Sequence, residues 1–197
     1  MYEKLGITEN HLRALALFTR GFDKEFYVRE VHKILGVSPR TAQLVLADLE
    51  GKAVLESRLK GKIKLFGLKK NAMAKEYLFF AEEYKKITFL QKSDLLREVF
   101  EKCAPGLNGI VLLFGSYVKG KEKANSDIDI LVIGEYEKSL TDAVSRMYGK
   151  NVSVKKYPRS VFANEMNTDN LLREVLNDHV VLQGLEEFVA QVLKWTK

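Results

Sequence analysis

The sequence predicts a mixed α/β protein (α+β) in which a helical N-terminal part with a hairpin precedes a mixed sheet with flanking helices. Apolar residues recur at helical spacing up to residue 50, and two short strand-like runs follow them. From residue 105 onward, apolar strand-like runs alternate with helical segments. These patterns predict three segments: an N-terminal domain over residues 1–70, a helical linker or packing segment over 71–104, and a C-terminal α/β domain over 105–197.

The N-terminal domain is expected to contain three helices followed by a hairpin. The helices are expected over residues 11–22, 28–35 and 41–50. Before the third helix, Ser38 is a good N-cap, and Pro39 is tolerated in a first turn. The strands are expected over residues 53–59 and 63–68. The intervening Lys60-Gly61-Lys62 is typical of a hairpin tip.

The remaining elements follow from the same patterns. Residues 71–103 predict two helices with a break near residues 87–89. Met73, Tyr77, Phe80 and Tyr84 fall on one helical face, which predicts packing against another domain or a second copy of the chain. Strands are expected over residues 110–114, 128–133, 152–157 and 180–182, and helices over 169–176 and 186–195.

The composition excludes membrane and disulfide-rich secreted classes. The chain has 46% hydrophobic and 29% charged residues, and no apolar run approaches the roughly 18 residues of a membrane span. Its start lacks a basic-then-apolar secretory layout, and its one cysteine allows no internal disulfide. We therefore expect a cytoplasmic protein with no membrane partner.

The net charge of +6 is unevenly distributed. Residues 1–90 contain 17 Lys or Arg and 11 Asp or Glu, whereas residues 91–197 contain 15 of each. This asymmetry is typical of a nucleic-acid-binding module attached to a second domain. A solvated basic surface is equally compatible with the charge alone.

A predicted strand that ends in Gly115-Ser116 is typical of a phosphate-binding turn. Glycine allows the backbone to approach a phosphate closely, and the exposed amides of a short helical segment beginning there attract anions. Further along, Asp127 and Asp129 lie two residues apart on a predicted strand, so that both side chains point to one face. Paired carboxylates favour a cation between them, and hard oxygen ligands favour Mg²⁺. Together the two features suit nucleotidyl transfer.

Gly115 and Ser116, followed after nine residues by Ser126, Asp127 and Asp129, resemble the signature of the polymerase β nucleotidyltransferase superfamily. The chain is most similar to its small prokaryotic branch, the minimal nucleotidyltransferases, which are related to the kanamycin nucleotidyltransferases. The resemblance covers about residues 105–185 and implies Mg²⁺ as cofactor with ATP or another NTP as substrate or ligand. It implies triphosphate binding by Gly115, Ser116, Lys119 and Ser126, and metal binding and catalysis by Asp127 and Asp129.

One position departs from this signature. Active members of the superfamily carry a third carboxylate on a later strand, but the strand expected over residues 152–157 contains no acid. Ser153 is expected at that position, with Lys155 on the same face. A serine neither bridges a second metal nor acts as a general base near neutral pH. Glu165 or Asp169 could reach in from the following segment.

Residues 9–70 resemble a winged helix-turn-helix, a DNA-binding family. Between residues 51 and 70 there are seven Lys or Arg and one acid, where the resemblance implies the wing. Residues 37–43 would open the recognition helix, which reads base edges in the major groove. The implied double-stranded DNA contacts are Arg40, Thr41 and Gln43 on bases and Lys60, Lys62 and Lys64 on phosphates.

The sequence therefore predicts a Mg²⁺-dependent transferase of nucleoside monophosphate to a hydroxyl, coupled to a DNA-binding domain. Two alternatives stay open: a DNA-binding transcriptional regulator whose second domain binds nucleotide without turnover, and an antitoxin-like partner of another protein. Because proteins that read palindromic DNA are commonly dimers, a homodimer is a further expected assembly.

Overall fold

The computed structural model describes residues 4–166 and 168–195, with side-chain surroundings as far as Lys194. These residues form two compact units, one over residues 4–81 and the other from residue 82 to 195. The division falls inside a helix, between Ala81 and Glu82. The division of the chain into three segments, over residues 1–70, 71–104 and 105–197, remains a prediction.

The first unit contains three helices and an antiparallel hairpin. They are α1 (Glu9–Phe18), α2 (Val28–Leu35), α3 (Pro39–Gly51), β1 (Leu55–Lys60) and β2 (Ile63–Leu68). The Ser38 hydroxyl accepts the Thr41 N–H at 3.0 Å, so it caps α3 as predicted. Helix α1 ends four residues before the predicted end, because Gly21 and Phe22 adopt positive φ angles of 86° and 61°, which no right-handed helix tolerates.

A short backbone pairing connects the hairpin to the helical part of the first unit. Phe26 exchanges two hydrogen bonds with Phe66 of β2, at 2.9 and 2.8 Å. The Phe26 ring packs edge-on against Phe18 of α1, with ring centroids 5.2 Å apart. At the tip, Lys60 pairs with Ile63 around Gly61, whose φ of 63° suits a two-residue turn.

Helices α4 (Ala72–Leu90) and α5 (Asp94–Cys103) follow, and the break between them lies at residues 91–93, later than predicted. It lies there because the Ser93 hydroxyl accepts the Leu96 N–H and begins α5. The residues expected on one apolar face of α4 differ in burial. Tyr77 is buried, whereas Met73 and Phe80 are each 50% exposed. The small residues Ala74 and Ala81 face inward instead.

The second unit is built on a four-stranded mixed sheet, which confirms the predicted mixed α/β class. Its strands are β3 (Leu107–Phe114), β4 (Ile128–Tyr136), β5 (Val152–Tyr157) and β6 (Val180–Gln183), and its further helices are α6 (Lys138–Tyr148), α7 (Arg159–Glu165), α8 (Asn170–Asn177) and α9 (Leu185–Trp195). The strand order is β5-β4-β3-β6. β3 runs antiparallel to both neighbours, and β4 runs parallel to β5.

The core of the second unit lies around the two central strands. Residues 110–114 of β3 and 130–133 of β4 are all buried, as expected for strands covered on both faces. Cys103 at the end of α5 is part of the same cluster, and burial raises the pKa of its thiol to about 11. This packing fixes the two strands whose ends carry the candidate site.

A buried ionic cluster joins α4 to the start of β6. Glu82 is fully buried, and its carboxylate accepts from the Lys85 ammonium at 2.9 Å. His179 Nε2 lies 3.5 Å from the other Glu82 oxygen, and its Nδ1 lies 3.0 Å from the Leu176 carbonyl. Burial acts to raise the pKa of Glu82, but Lys85 and His179 outweigh it and lower that pKa to about 2. Burial also lowers the pKa of His179.

Among the described residues, no helix is both long enough and apolar enough to cross a membrane.

Candidate functional site

The antiparallel pairing of β3 and β4 brings the predicted glycine turn against the predicted carboxylates. Phe114, the last residue of β3, pairs with Asp129, the second residue of β4. Gly115 therefore begins its turn directly beside Asp129. Asp127, immediately before β4, is exposed, whereas Asp129 is half-buried.

Gly115 is required at its position for two physical reasons. Its φ is 79°, which residues with a side chain rarely adopt. A Cβ atom there would also lie 2.2 Å from Oδ2 of Asp129, far inside van der Waals contact. The turn and the carboxylate are thus in direct contact, so a change in one displaces the other.

The segment after Gly115 forms hydrogen-bonded turns, so the predicted short helix at this point is wrong. The Lys119 N–H donates to the Gly115 carbonyl at 3.2 Å, the Gly120 N–H to the Tyr117 carbonyl at 3.3 Å, and the Lys121 N–H to the Ser116 carbonyl at 2.9 Å. These bonds reach back by different numbers of residues, so they do not form the regular ladder of an α-helix. In the described part of the chain, the N–H groups of residues 116–118 donate to no acceptor. Clustered amides of this kind attract anions.

The electrostatics of the site centre on Asp129. Partial burial, and then the negative charge of Asp127, raise the pKa of Asp129. Lys155 and the Ser153 hydroxyl, which donates to the Asp129 carboxylate, act in the opposite direction. Because burial is the largest cause of the raised pKa of Asp129, a cation bound beside this carboxyl would favour its ionised form.

This donor set fits Mg²⁺ that arrives with a triphosphate. Asp127 and Asp129 offer hard oxygen donors, and Mg²⁺ is commonly held by one or two carboxylates together with substrate phosphates. Over the described ranges, no group of three His, Cys, Asp or Glu residues could hold a metal. The protein alone therefore offers a partial coordination shell, which phosphate oxygens would complete.

Ser153, where the sequence resemblance implied a third carboxylate, lies beside Asp129. β5 pairs in parallel with β4, and Ser153 is the register partner of Asp129. Asp169 is engaged elsewhere: it accepts the Leu172 N–H at 2.8 Å as the N-cap of α8, and the Tyr157 hydroxyl donates to it at 3.2 Å. Tyr157 lies four residues beyond Ser153, or about 13 Å along the strand.

Two further predicted nucleotide ligands have structural partners. The Ser126 hydroxyl accepts the Lys123 N–H at 2.8 Å, which closes the loop before Asp127. The Lys119 ammonium lies 2.5 Å from a carboxylate oxygen of Glu174 on α8. Sequence analysis missed Glu174, which is 55 residues from Lys119 and belongs to no recognised motif. Its only sequence signal was its place in a predicted helix next to the sheet.

In the first unit, the predicted base-reading residues lie at the start of α3. Arg40 and Gln43 are exposed, and the Arg40 guanidinium donates to the Gln43 side-chain carbonyl at 3.4 Å. The Thr41 hydroxyl lies 2.8 Å from the Ser38 hydroxyl, within the cap of the helix. The structure thus leaves Arg40 and Gln43 more accessible than Thr41.

The predicted phosphate-binding lysines are arranged unequally on the hairpin. Lys60 and Lys62 are exposed at the tip, and neither ammonium makes an ion pair or hydrogen bond with the residues that the structure describes. Lys64 instead contacts a Glu50 carboxylate oxygen at 2.7 Å and lies 5.0 Å from the centre of the Phe66 ring. The ammonium groups of Lys60 and Lys62 are therefore accessible, whereas that of Lys64 is engaged by Glu50 and Phe66.

Comparison with known proteins finds a family similarity within the second unit. Residues 108–187 match the family described as "Polymerase beta, Nucleotidyltransferase". This segment, less than half of the chain, is therefore similar to nucleotidyltransferase domains of the polymerase beta type. No curated protein matches the chain.

Two solved structures are similar to the chain at low identity. One is described as the crystal structure of a toxin-antitoxin with AMP-PNP. It is 20% identical to this chain over an alignment that covers 52% of this chain and 82% of the other, with a TM-score of 0.35. The other is TrmBL2, an archaeal chromatin protein described as showing a novel mode of DNA binding; it is 15% identical, covers 88% of this chain and 71% of its own, and has a TM-score of 0.30. Both TM-scores lie below 0.5, so neither likeness is evidence for what this chain binds.

Proposed function

We propose that the chain is a Mg²⁺-dependent nucleotidyltransferase that moves a nucleoside monophosphate from ATP or another NTP to a hydroxyl acceptor. The observation that carries this proposal is the direct contact between the Gly115 turn and Asp129, with Asp127 beside it. Nucleotidyl transfer requires a phosphate-binding turn placed next to a carboxylate pair that can bind a metal ion.

Each group has a distinct role in this proposal. The N–H groups of residues 116–118 and the Lys119 ammonium bind the triphosphate oxygens. Ser126 orders the loop that presents Asp127. Asp127 and Asp129 would hold Mg²⁺, which would supply positive charge to neutralise the triphosphate. The acceptor hydroxyl loses its proton to solvent as its oxygen bonds to the α-phosphorus, and pyrophosphate leaves with the electron pair of the broken P–O bond.

Transfer of a labelled nucleotide tests this function. The wild-type chain is incubated with each of the four NTPs labelled at the α-phosphate, together with cell extract as the acceptor source. We expect Mg²⁺-dependent label on an acceptor, and none with Asp127→Asn/Asp129→Asn. Asp142→Asn, an exposed position on α6, is the matched control and should behave as wild type. Equal labelling by wild type and the double variant would refute the assignment.

We further propose that the first unit is a winged helix-turn-helix domain that binds double-stranded DNA. Support comes from the exposed Arg40 and Gln43 at the start of α3 and from the lysines at the hairpin tip. In this arrangement α3 reads the major groove and the hairpin contacts phosphates. Fluorescence anisotropy with random-sequence duplexes at several salt concentrations tests it. A salt-dependent affinity is expected, and the absence of binding at about 50 mM salt would contradict it.

A second candidate function is a DNA-binding regulator that binds nucleotide without turnover. Ser153 favours it, because the register partner of Asp129 is a hydroxyl where active relatives have a carboxylate. The two candidates are distinguished by one result. Mg²⁺-dependent ATP binding without label transfer to any acceptor, combined with altered DNA affinity when ATP is present, would favour the regulator.

A further inference from the structure

One exposed face of helix α3 carries a row of residues without an acidic side chain. Arg40, Gln43, Leu44, Ala47 and Gly51 are all exposed, and they recur every three or four residues, which places them in one row along the helix. From its first residue to its last, the row is about 16 Å long. It combines one cation, one amide and one large apolar side chain with two small residues.

The large apolar residue of this row is Leu44. Its side chain is 53% exposed, whereas Leu46 and Leu49 of the same helix are buried in the core of the first unit. A single exposed leucine is common on protein surfaces, so the exposure alone assigns no role. The position of Leu44 is informative, because it shares its face with Arg40 and Gln43, the residues proposed to contact bases.

The charges around this row favour a polyanion as its occupant. The hairpin lies beside the C-terminal end of α3, since the Glu50 carboxylate contacts both Ser57 of β1 and Lys64 of β2. The hairpin ends in the exposed ammonium groups of Lys60 and Lys62. Cations therefore lie near both ends of α3. An apolar side chain between such cations suits a groove of double-stranded DNA, in which base edges lie between two rows of phosphates.

The two small residues leave space for a close approach. Ala47 carries only a methyl group, and a Cβ atom placed on Gly51 would meet no atom of the chain within 4 Å. The surface in front of this end of the row is thus open. Short side chains here let α3 lie close to the base edges of the major groove. The apolar feature of those edges is the C5-methyl group of thymine.

We propose that Leu44 contacts the C5-methyl group of thymine in the major groove, so that the first unit prefers thymine-containing sites. The inference rests on the proposed DNA-binding function and adds the kind of base that its recognition helix selects. Leu44 distinguishes thymine from cytosine, which presents an amino donor and no methyl group in the same groove. Thr41 stays outside this contact, because its hydroxyl is engaged with Ser38 in the helix cap.

The test compares duplexes that differ in this methyl group alone. The wild-type chain first selects duplexes from a random-sequence library, and the selected pool is then resynthesised with either thymidine or deoxyuridine triphosphate. Uracil keeps the hydrogen-bonding groups of thymine and lacks its methyl group. Fluorescence anisotropy measures the affinity for both pools. We expect the wild type to bind the uracil pool about fourfold more weakly for each methyl contact that is lost.

Two variants separate the contact from other effects of uracil. Leu44→Ala should lose the discrimination between the pools. Ile34→Ala is the matched control: Ile34 on α2 is also 53% exposed, and its loss should leave the discrimination at the wild-type value. An effect of uracil on duplex shape is the same for all three proteins, so the difference between them measures the contact. Alanine favours helices, and thermal unfolding checks that both variants are folded.

The outcomes distinguish this inference from the function on which it rests. Equal discrimination by wild type and Leu44→Ala, or equal binding of both pools by the wild type, would overturn the role of Leu44 and leave DNA binding intact. A changed oligomeric state in Leu44→Ala without a change in discrimination would show that a protein surface covers Leu44 instead. Failure of the wild type to bind any duplex at about 50 mM salt would overturn the DNA-binding function itself.

Discussion

The two units of the chain place their candidate functional residues in contrasting environments. In the second unit, Asp129 is half-buried and lies against a glycine that leaves no room for a Cβ atom. In the first unit, Arg40, Lys60 and Lys62 extend from helix and hairpin surfaces and are exposed. The position of Asp129 is fixed by the backbone and by packing, whereas the residues of the first unit act through their side-chain charge.

This difference predicts how each unit responds to mutation. Residues in the constrained site are coupled to folding, since moving them disturbs strand ends and buried charges. Exposed lysines contribute little to stability, so their loss should affect binding alone. The following predictions test this contrast, from the largest expected effect to the smallest.

The largest effect is expected at the buried cluster of the second unit. Glu82→Ala should lower the free energy of unfolding by about 3 kcal/mol, because it removes the buried counter-charge of the Lys85 ammonium and the carboxylate beside His179. Glu83→Ala is the matched control: it breaks the adjacent Lys86 pair, whose carboxylate is 43% exposed, and should change stability by less than about 0.5 kcal/mol. Urea unfolding of both variants gives the comparison, and equal losses would contradict it.

Gly115→Ala should combine a loss of stability with a loss of function. Strain at positive φ costs about 1–3 kcal/mol, and the new Cβ would displace the Asp129 carboxylate. Gly120→Ala has a similar φ of 62° but meets no atom within 4 Å, so it measures backbone strain alone. Thermal unfolding and ATP calorimetry separate the effects: only Gly115→Ala should lose ATP binding. Loss of binding in both variants would show that strain, not the contact with Asp129, is decisive.

Acidification should destabilise the second unit through His179 first. Burial lowers the pKa of His179 in the folded chain, so its contribution to stability is complete above the unfolded value of about 6.5 and is lost as pH falls below it. Glu82, with a folded pKa of about 2, adds a second loss as pH falls from about 4.5 toward 2. Urea unfolding at pH 7.5, 6.5 and 5.5 should show decreasing stability.

Replacement of His179 provides the control for this pH dependence. His179→Asn should be less stable at every pH but should lose most of the slope between pH 7.5 and 5.5. His32→Asn, at a half-buried position in the first unit, should keep the wild-type slope. A slope that disappears in the His32 variant instead would assign the transition to the other unit.

The smallest effect on stability is expected at the hairpin tip. Changing Lys60, Lys62 and Lys64 to Ala should alter the free energy of unfolding by less than about 0.5 kcal/mol. DNA affinity should fall, and the slope of log affinity against log salt should decrease by roughly one unit per lost phosphate contact. Because Lys64 is paired with Glu50, Lys64→Ala alone should change the slope less than Lys60→Ala or Lys62→Ala. An unchanged slope in the triple variant would exclude the hairpin as the contact.

Local patterns in the sequence predicted most elements of the fold. Every predicted strand is present, and α2 and β2 have the predicted bounds, because apolar periodicity and glycine stops define them. The end of α1 was wrong, since positive φ at Phe22 has no signal in residue type. The face of α4 was wrong in part, because small residues such as Ala74 and Ala81 pack inward where the pattern favoured Phe80.

The candidate site was predictable where its residues are close in sequence. Gly115, Asp127 and Asp129 lie within 15 residues, and their spacing carried the prediction. Ser153, which the family resemblance placed at the position facing the two carboxylates, is the register partner of Asp129. Glu174 and the Glu82–His179 cluster depend on contacts across 55 and 97 residues, which only tertiary packing determines. Ion pairs between residues so far apart in the chain produce no recognisable pattern in a single sequence.

The most direct test of the account is calorimetric titration of ATP into the wild type and Asp127→Asn/Asp129→Asn, each with and without Mg²⁺. We predict Mg²⁺-dependent binding by the wild type, and no Mg²⁺ enhancement in the double variant with its fold unchanged. The same titration with the other three NTPs would identify the preferred base. Mg²⁺-dependent binding that persists in the double variant would contradict the proposed metal site, and failure of the wild type to bind any NTP would contradict the nucleotide site itself.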